Sequence, residues 1–142
     1  MKLIARWLCA TALLLLGATA VFAADGDAIV IIGHPGLPPI DAVMVERLYT
    51  GRAIEVAGTP VTVVNATLGS ASRRRFLAAW LKLDDDKYGA YWTVRRHIGK
   101  GAPPRELGTT AEIVEFVRAT PGAIGYIEWG ELKPGMNVIG RP

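Results

Sequence analysis

The amino-acid sequence predicts one α/β domain, built on a short mixed or partly parallel sheet flanked by helices. Three observations carry this expectation. β-Branched, apolar runs recur at 28–32, 61–65 and 123–127. Stretches with apolar residues at helical spacing lie between them, at 41–49, 70–83 and 109–117. Gly, Pro and Ser clusters punctuate the boundaries. Strands alternating with helices make an α/β layer structure. A chain of 142 residues has room for a single such domain.

The elements follow in order. Ala28 to Ile32 is continuous and β-branched, ends at Gly33-His34-Pro35-Gly36, and reads as a buried strand. After Pro38-Pro39, Met44/Leu48 and Val45/Tyr49 repeat at i, i+4 in a helix stopped by Gly51. Val61 to Asn65 is a second strand, and Thr67 to Ser70 a polar turn. From Ser70 to Leu83, Phe76, Leu77, Trp80 and Leu81 keep helical spacing. Asp84-Asp85-Asp86 opens another helix, with Tyr88, Tyr91, Trp92 and Arg95 on one face. Residues 99–108, with two prolines and three glycines, read as a loop. Thr109-Thr110-Ala111-Glu112 has the pattern of a capping box before a helix that turns Ile113, Phe116 and Val117 inward. Pro121-Gly122 stops it. Ala123 to Ile127 is a third strand and Met136 to Ile139 a fourth.

The first residues read as an export signal. Lys2 and Arg6 precede an apolar run from Trp7 to Val21, and Val21-Phe22-Ala23 supplies small residues at the outer positions. The run is short for the ~20 residues of a membrane span. Cleavage after Ala23 is expected, leaving 24–142 as the mature domain in the periplasm. Cys9 lacks the small residues that precede a lipidated cysteine. Setting aside Lys2 and Arg6 leaves 14 basic against 13 acidic residues. Bulk charge therefore gives no reason to expect a nucleic-acid partner, and an anion preference must come from local clustering. A lone cysteine gives neither a disulfide framework nor a Cys-based metal site.

The sharpest chemical feature is strand, turn and helix at 61–83. A helix start exposes backbone N–H groups and partial positive charge, which suits an anion. Ser70 or Ser72 is the expected N-cap. Arg73-Arg74-Arg75 follows in the first turn, where cations oppose the helix dipole by roughly 0.3–1 kcal/mol each. A bound anion would offset that placement; a solvated basic face is the plainer alternative. Arg73 lies near the inward edge, three and four residues before Phe76 and Leu77, whereas Arg75 aligns with Lys82 and faces water. Arg95-Arg96-His97 suits a helix C-terminus, and Tyr88, Tyr91 and Trp92 suit a core. Asp84-Asp85-Asp86 suits the helix dipole better than a metal. His34 follows a strand and is kept as an additional contact, with Arg74. No nucleophile–base pair or cofactor motif is present, so the sequence offers no support for an enzyme.

Together these segments resemble the periplasmic phosphate-binding proteins of ABC transporters. Leu48-Tyr49-Thr50-Gly51-Arg52 is similar to that family's hydrophobic–aromatic–x–Gly–basic helix end. Val63-Val64-Asn65 through Phe76 is similar to its strand and Gly/Ser-rich turn that meets phosphate. Thr110 to Val117 matches its next helix, and Pro121-Gly122-Ala123-Ile124-Gly125-Tyr126-Ile127 its proline–glycine–small–Ile–Gly–Tyr strand. The resemblance spans roughly 40 to 130. It implies one small lobe of the type 2 periplasmic-binding-protein-like fold, where the full family has two lobes around a cleft. It makes Ser70 the best match to the hydroxyl contact, with Thr67, Gly69 and Ser72 next. The turn 66–72 lacks the acidic residue and one glycine of the family pattern. Arg73 is added from helix geometry as the cation that neutralises the ligand.

Two functional readings follow. The first is an exported module that binds a small oxyanion, phosphate foremost, without covalent chemistry, and that an ABC transporter permease or other membrane partner would serve. The second is a protein that kept the fold, lost the ligand and docks on a membrane sensor or envelope partner. No cofactor is implied by either.

Overall fold

A computed structural model describes residues 25–142. The export-signal expectation for 1–23, Cys9 included, lies outside the described residues. Among those residues no helix is long and apolar enough to cross a membrane.

A short 3-10 turn precedes β1 (Ile29–Gly33), all five residues of which are buried. α1 (Ala42–Tyr49) starts on Asp41, whose carboxylate accepts the Met44 N–H at 2.8 Å. A hairpin of β2 (Glu55–Val56) and β3 (Thr59–Pro60) follows, then β4 (Thr62–Ala66). α2 (Ala71–Phe76) widens into a π turn at Leu77–Leu81, closed by Lys82 in the left-handed region at φ 57°. α3 (Asp85–His97) is capped by Asp84. β5 (Arg105–Leu107), α4 (Thr110–Ala119), β6 (Ala123–Glu128), a short 3-10 turn and β7 (Asn137–Gly140) complete the described chain.

The main sheet has the order β5-β4-β6-β1-β7. β4 runs parallel to β5 and β6, and β1 runs antiparallel to β6 and β7. The fold is thus α/β with a mixed sheet, as the sequence predicts. β6 is apolar on both faces because both are covered. On one face Ile113 and Val117 of α4 lie against Gly125. On the other, Tyr126 stacks on Phe76 at 3.9 Å between ring centroids and lies 5.8 Å from Tyr49. Burying such a large side chain contributes roughly 1.5–3 kcal/mol. The π turn brings Trp80 onto the same face, where its indole N–H donates to the Ile29 carbonyl at 3.1 Å.

Three local features differ from the sequence reading. The 99–108 loop holds β5, which pairs in parallel with β4, Val64 to Arg105 and Ala66 to Leu107. The β2–β3 hairpin turns on Ala57 and Gly58, both at positive φ (48° and 78°). An Ala-Gly pair is a weaker hairpin signal than Asn-Gly, because alanine gains nothing in that region. Finally, the Thr109 hydroxyl accepts from Glu112 N–H at 3.1 Å, but the Glu112 carboxylate reaches back to Gly108 N–H at 2.7 Å, not to Thr109.

Candidate functional site: the turn between β4 and α2

The turn rests on a buried polar bed. Asn65 is 1% exposed. Its side-chain oxygen accepts the Tyr126 hydroxyl at 3.0 Å, and its amide donates to the Tyr88 hydroxyl at 3.3 Å. Tyr126 in turn accepts the Ala66 N–H at 3.0 Å. Tyr88 donates to the Tyr49 carbonyl at 2.8 Å, and Tyr49 to the Val64 carbonyl at 3.0 Å. Every buried hydroxyl in this group has a partner, as burial demands. The last two residues of β4 are therefore held on both sides before the turn begins.

Burial raises the pKa of Tyr49, Tyr88 and Tyr126 above the ordinary tyrosine value, and in Tyr49 the neighbouring tyrosines add to it. The unfolded chain releases these protons near pH 10, whereas the folded chain retains them. Stability is thus full below about pH 10 and falls as pH rises above it, by up to about 1.4 kcal/mol per pH unit for each such tyrosine. Urea unfolding between pH 8 and pH 11 is expected to show this decline. In Tyr126→Phe the alkaline slope becomes shallower.

Beyond Ala66 the chain reverses. Gly69 sits at φ 79°, a conformation that suits glycine, and the Ser70 N–H closes the turn on the Thr67 carbonyl at 3.0 Å. Ser70 is the N-cap of α2: its hydroxyl oxygen accepts the Arg73 N–H at 3.3 Å and lies 3.5 Å from the Ser72 hydroxyl. As a cap it still has its own O–H to donate. The Thr67 hydroxyl donates to the Leu107 carbonyl at 3.2 Å, which ties the turn to β5. Among the described residues, the N–H groups of Gly69, Ala71 and Ser72 have no acceptor. Thr67, Leu68, Gly69 and Ala71 are exposed, and Ser70 and Ser72 half-buried. Thr67, Gly69, Ser70 and Ser72 thus do share one open turn.

Arg73 has another task than the sequence reading gives it. It is 4% exposed. Its Nε donates to Asp85 at 2.6 Å, and its Nη1 to Glu106 at 2.6 Å and to the Ala66 carbonyl at 3.2 Å. Its guanidinium lies 5.6 Å from the centre of the Tyr88 ring. Burial alone would lower its pKa, but the hydrogen bonds to Glu106 and Asp85 and their charges outweigh this and raise it. Arg73 is a tie between α2, α3 and β5, neutralised by Asp85 and Glu106 where they stand. Of the three aspartates, Asp84 caps α3 and Asp85 pairs with Arg73. The Lys87 backbone N–H on Asp84 lowers that carboxyl below its ordinary range.

The neighbouring arginines diverge. Arg74 is exposed and folds back to donate to the Gly69 carbonyl, and among the described residues it has no carboxylate partner. It is the cation that lies over the turn. Arg75 does not simply face water: it pairs with Glu128 and, at 3.3 Å, with Asp27.

His34 lies elsewhere. β1 runs against β4, and Gly33, Ile124 and Val63 lie at one level of the sheet. The His34 N–H donates to the Ala123 carbonyl at 2.8 Å, and its Nδ1 is 3.0 Å from the Val117 carbonyl. Val63 to Thr67 is four residues, or about 13 Å of strand. His34 is therefore at the opposite end of the sheet and cannot join the turn. What the sequence reading misses is Glu106. It arrives from β5, and its two oxygens face Arg73 and the Leu68 N–H (3.4 Å). Beside it, Leu68, Arg73, Tyr88, Trp92, Arg96 and Pro103 line much of an open cavity of about 210 Å³.

Neither a family model nor a curated protein matches the sequence. Solved structures do match. The fold is similar to an ABC-type phosphate transport receptor from Vibrio cholerae, with a TM-score of 0.62 and 14% identity over 80% of this chain and 45% of the receptor. It is similar to PstS from Borrelia burgdorferi, with a TM-score of 0.60 and 17% identity over 80% of this chain and 47% of that one. A third likeness is to a candidate phosphate ABC transporter substrate-binding protein with bound phosphate, from Clostridium perfringens, with a TM-score of 0.54 and 19% identity over 80% of this chain and 44% of the other. The chain spans less than half the length of each, the extent of a single-lobe relative.

Proposed function

We propose that this chain is an exported, solute-binding-like module that holds a small oxyanion, phosphate foremost, at the turn between β4 and α2. The observation that carries this reading is the open turn itself, where three backbone N–H groups without an acceptor among the described residues and the Ser70 and Ser72 hydroxyls lie within four consecutive residues. The likeness in fold to phosphate-binding proteins supports it. Backbone N–H and hydroxyl groups donate to the ligand oxygens, and Arg74 supplies positive charge while Arg73 is held by Asp85 and Glu106. The ligand is held and released unchanged, with no cofactor.

One lobe leaves the anion open to water on the far side. Charge-assisted hydrogen bonds are weaker there than in a closed cleft. A Kd on the order of 1 mM, about −4 kcal/mol, is the expected scale for the isolated chain. A membrane permease or another chain would supply the second wall. Calorimetric titration of phosphate, then sulfate, at low salt tests this. Wild type is expected to give saturable phosphate binding. Ser72→Ala, which leaves the cap on Ser70 intact, is expected to lose several-fold in affinity, and so is Arg74→Ala. Folded protein giving no heat with either anion would end the proposal.

A second reading has its own observation: Asp85 and Glu106 already satisfy Arg73 and place negative charge beside the turn. A protein that docks on a membrane sensor or envelope partner needs no vacant anion site. Capture of one specific partner, undiminished by excess phosphate, together with absent phosphate binding, would favour it.

A further inference from the structure

Glu106 sits where a ligand would. It stands on β5, an edge strand, with its side chain 45% exposed. One oxygen accepts from Arg73 Nη1 at 2.6 Å, and the other faces the Leu68 N–H at 3.4 Å. A guanidinium and a backbone N–H of the turn are thus bridged by the two oxygens of one carboxylate. These are the donor types that an oxyanion takes, and Leu68 immediately precedes the three-donor stretch beginning at Gly69.

We propose that Glu106 is a tethered competitor for the oxyanion turn, a built-in anion that must be displaced before a free one binds fully. The proposal rests on the oxyanion reading above and adds the residue that sets its affinity and selects its ligands. Displacement is feasible on three grounds. The side chain is close to half exposed and has three rotatable bonds, so it can swing into water. Its contact with Leu68 is at the long limit of a hydrogen bond. Arg73 keeps Asp85 at 2.6 Å and the Ala66 carbonyl at 3.2 Å when Glu106 leaves, so no buried charge is stranded.

The tether also fixes how hard the competition is. β5 is paired to β4, and Leu107 is bonded to Thr67, so the carboxylate returns at the millimolar effective concentration of a short linkage. A free carboxylate offers the same two oxygens and the same single charge, and so has no advantage over it. A halide is a single acceptor atom and does not reproduce two separate oxygens, one on Arg73 and one on Leu68. The class of ligand that can win is an anion with three or more oxygens, which spans Arg73 and Leu68 while also reaching Gly69, Ser70 and Ser72. Inorganic phosphate is such an anion, and acetate is not.

The test titrates inorganic phosphate, and separately acetate, into purified wild type, Glu106→Gln and Glu106→Asp, with backbone amide spectra recorded alongside. Glu106→Gln removes the competing charge, so it is expected to bind phosphate at least tenfold more tightly, about 1.4 kcal/mol. The Leu68, Gly69 and Ser72 amides move at correspondingly lower phosphate. Glu106→Asp keeps the charge but is one methylene short of the turn, and a smaller gain is expected. It carries the comparison should the glutamine variant not fold. Acetate is expected to leave the wild-type turn amides unmoved. Folded variants that bind phosphate no more tightly than wild type would overturn the role of Glu106 while leaving the oxyanion reading in place. Absence of phosphate binding in every protein, wild type included, would overturn both.

Discussion

Arg73→Ala is expected to lower the stability of the fold by about 3 kcal/mol, within the 3–5 kcal/mol that follows when one partner of a buried ion pair is removed. The cost has separate parts. Asp85, whose side chain is 18% exposed, loses the guanidinium that neutralises it, and the buried Ala66 carbonyl loses a donor. The arm that lies against the Tyr88 ring leaves a void under the turn. Glu106 adds little, because at 45% exposure water takes over its solvation, which keeps the figure at the lower end. For a domain of this size the loss corresponds to roughly 10 °C or more in Tm. Thermal and urea unfolding would check it, with Arg73→Ala/Asp85→Ala expected to recover part of the loss because the stranded charge goes too. A change below about 1 kcal/mol would mean that the three-element tie contributes little.

The second large effect is expected at Gly122. Its φ is 74°, and a Cβ there would lie 2.3 Å from the Pro60 carbonyl oxygen and 3.5 Å from the Val61 Cα. Both obstacles are backbone, so no side-chain rotation relieves them. The Gly122 carbonyl also accepts the Thr62 N–H at 3.0 Å, the contact that brings β6 alongside β4. The left-handed backbone costs an alanine about 1 kcal/mol and the overlap a further 1–3 kcal/mol, so Gly122→Ala is expected to cost about 2–4 kcal/mol. Because β4 carries the turn, the same variant should disturb the Leu68 to Ser72 amides from a distance. Unfolding curves and amide spectra would reveal both. A variant as stable as wild type would contradict the close approach of these two segments.

Much of this architecture is legible in the sequence where the signal is local. The Ile29–Gly33 and Ala123–Glu128 strands announce themselves because both their faces are apolar. α1 and α3 begin on Asp41 and Asp84, whose carboxylates cap in the way their positions suggest. The aromatic residues Tyr88 and Trp92 are core, as their spacing suggests. The elements that escape local reading have non-local causes. β5 is three residues long and exists through its pairing with β4. The π turn at Leu77–Leu81 has ordinary helix formers and is distinguished only by how Trp80 must reach β1.

The candidate site divides the same way. The turn is readable because strand, small polar residues and helix follow one another in the chain. The part played by Arg73 is not, since its partners are twelve and thirty-three residues away. A burial argument alone, from its place before Phe76 and Leu77, finds the inward direction but not the carboxylates waiting there. His34 shows the converse error. A residue after a strand is a fair candidate only if that strand runs the same way as the one carrying the site, and β1 runs opposite to β4.

If the chain holds an oxyanion as proposed, the turn from Gly69 to Ser72 meets it. Backbone amide spectra of the wild-type chain during a phosphate titration at constant pH and ionic strength test this most directly. The predicted result is a saturable shift centred on Gly69, Ala71 and Ser72, with the amides around His34 unmoved. Shifts that are absent, unsaturable, or centred on any other part of the fold would contradict it.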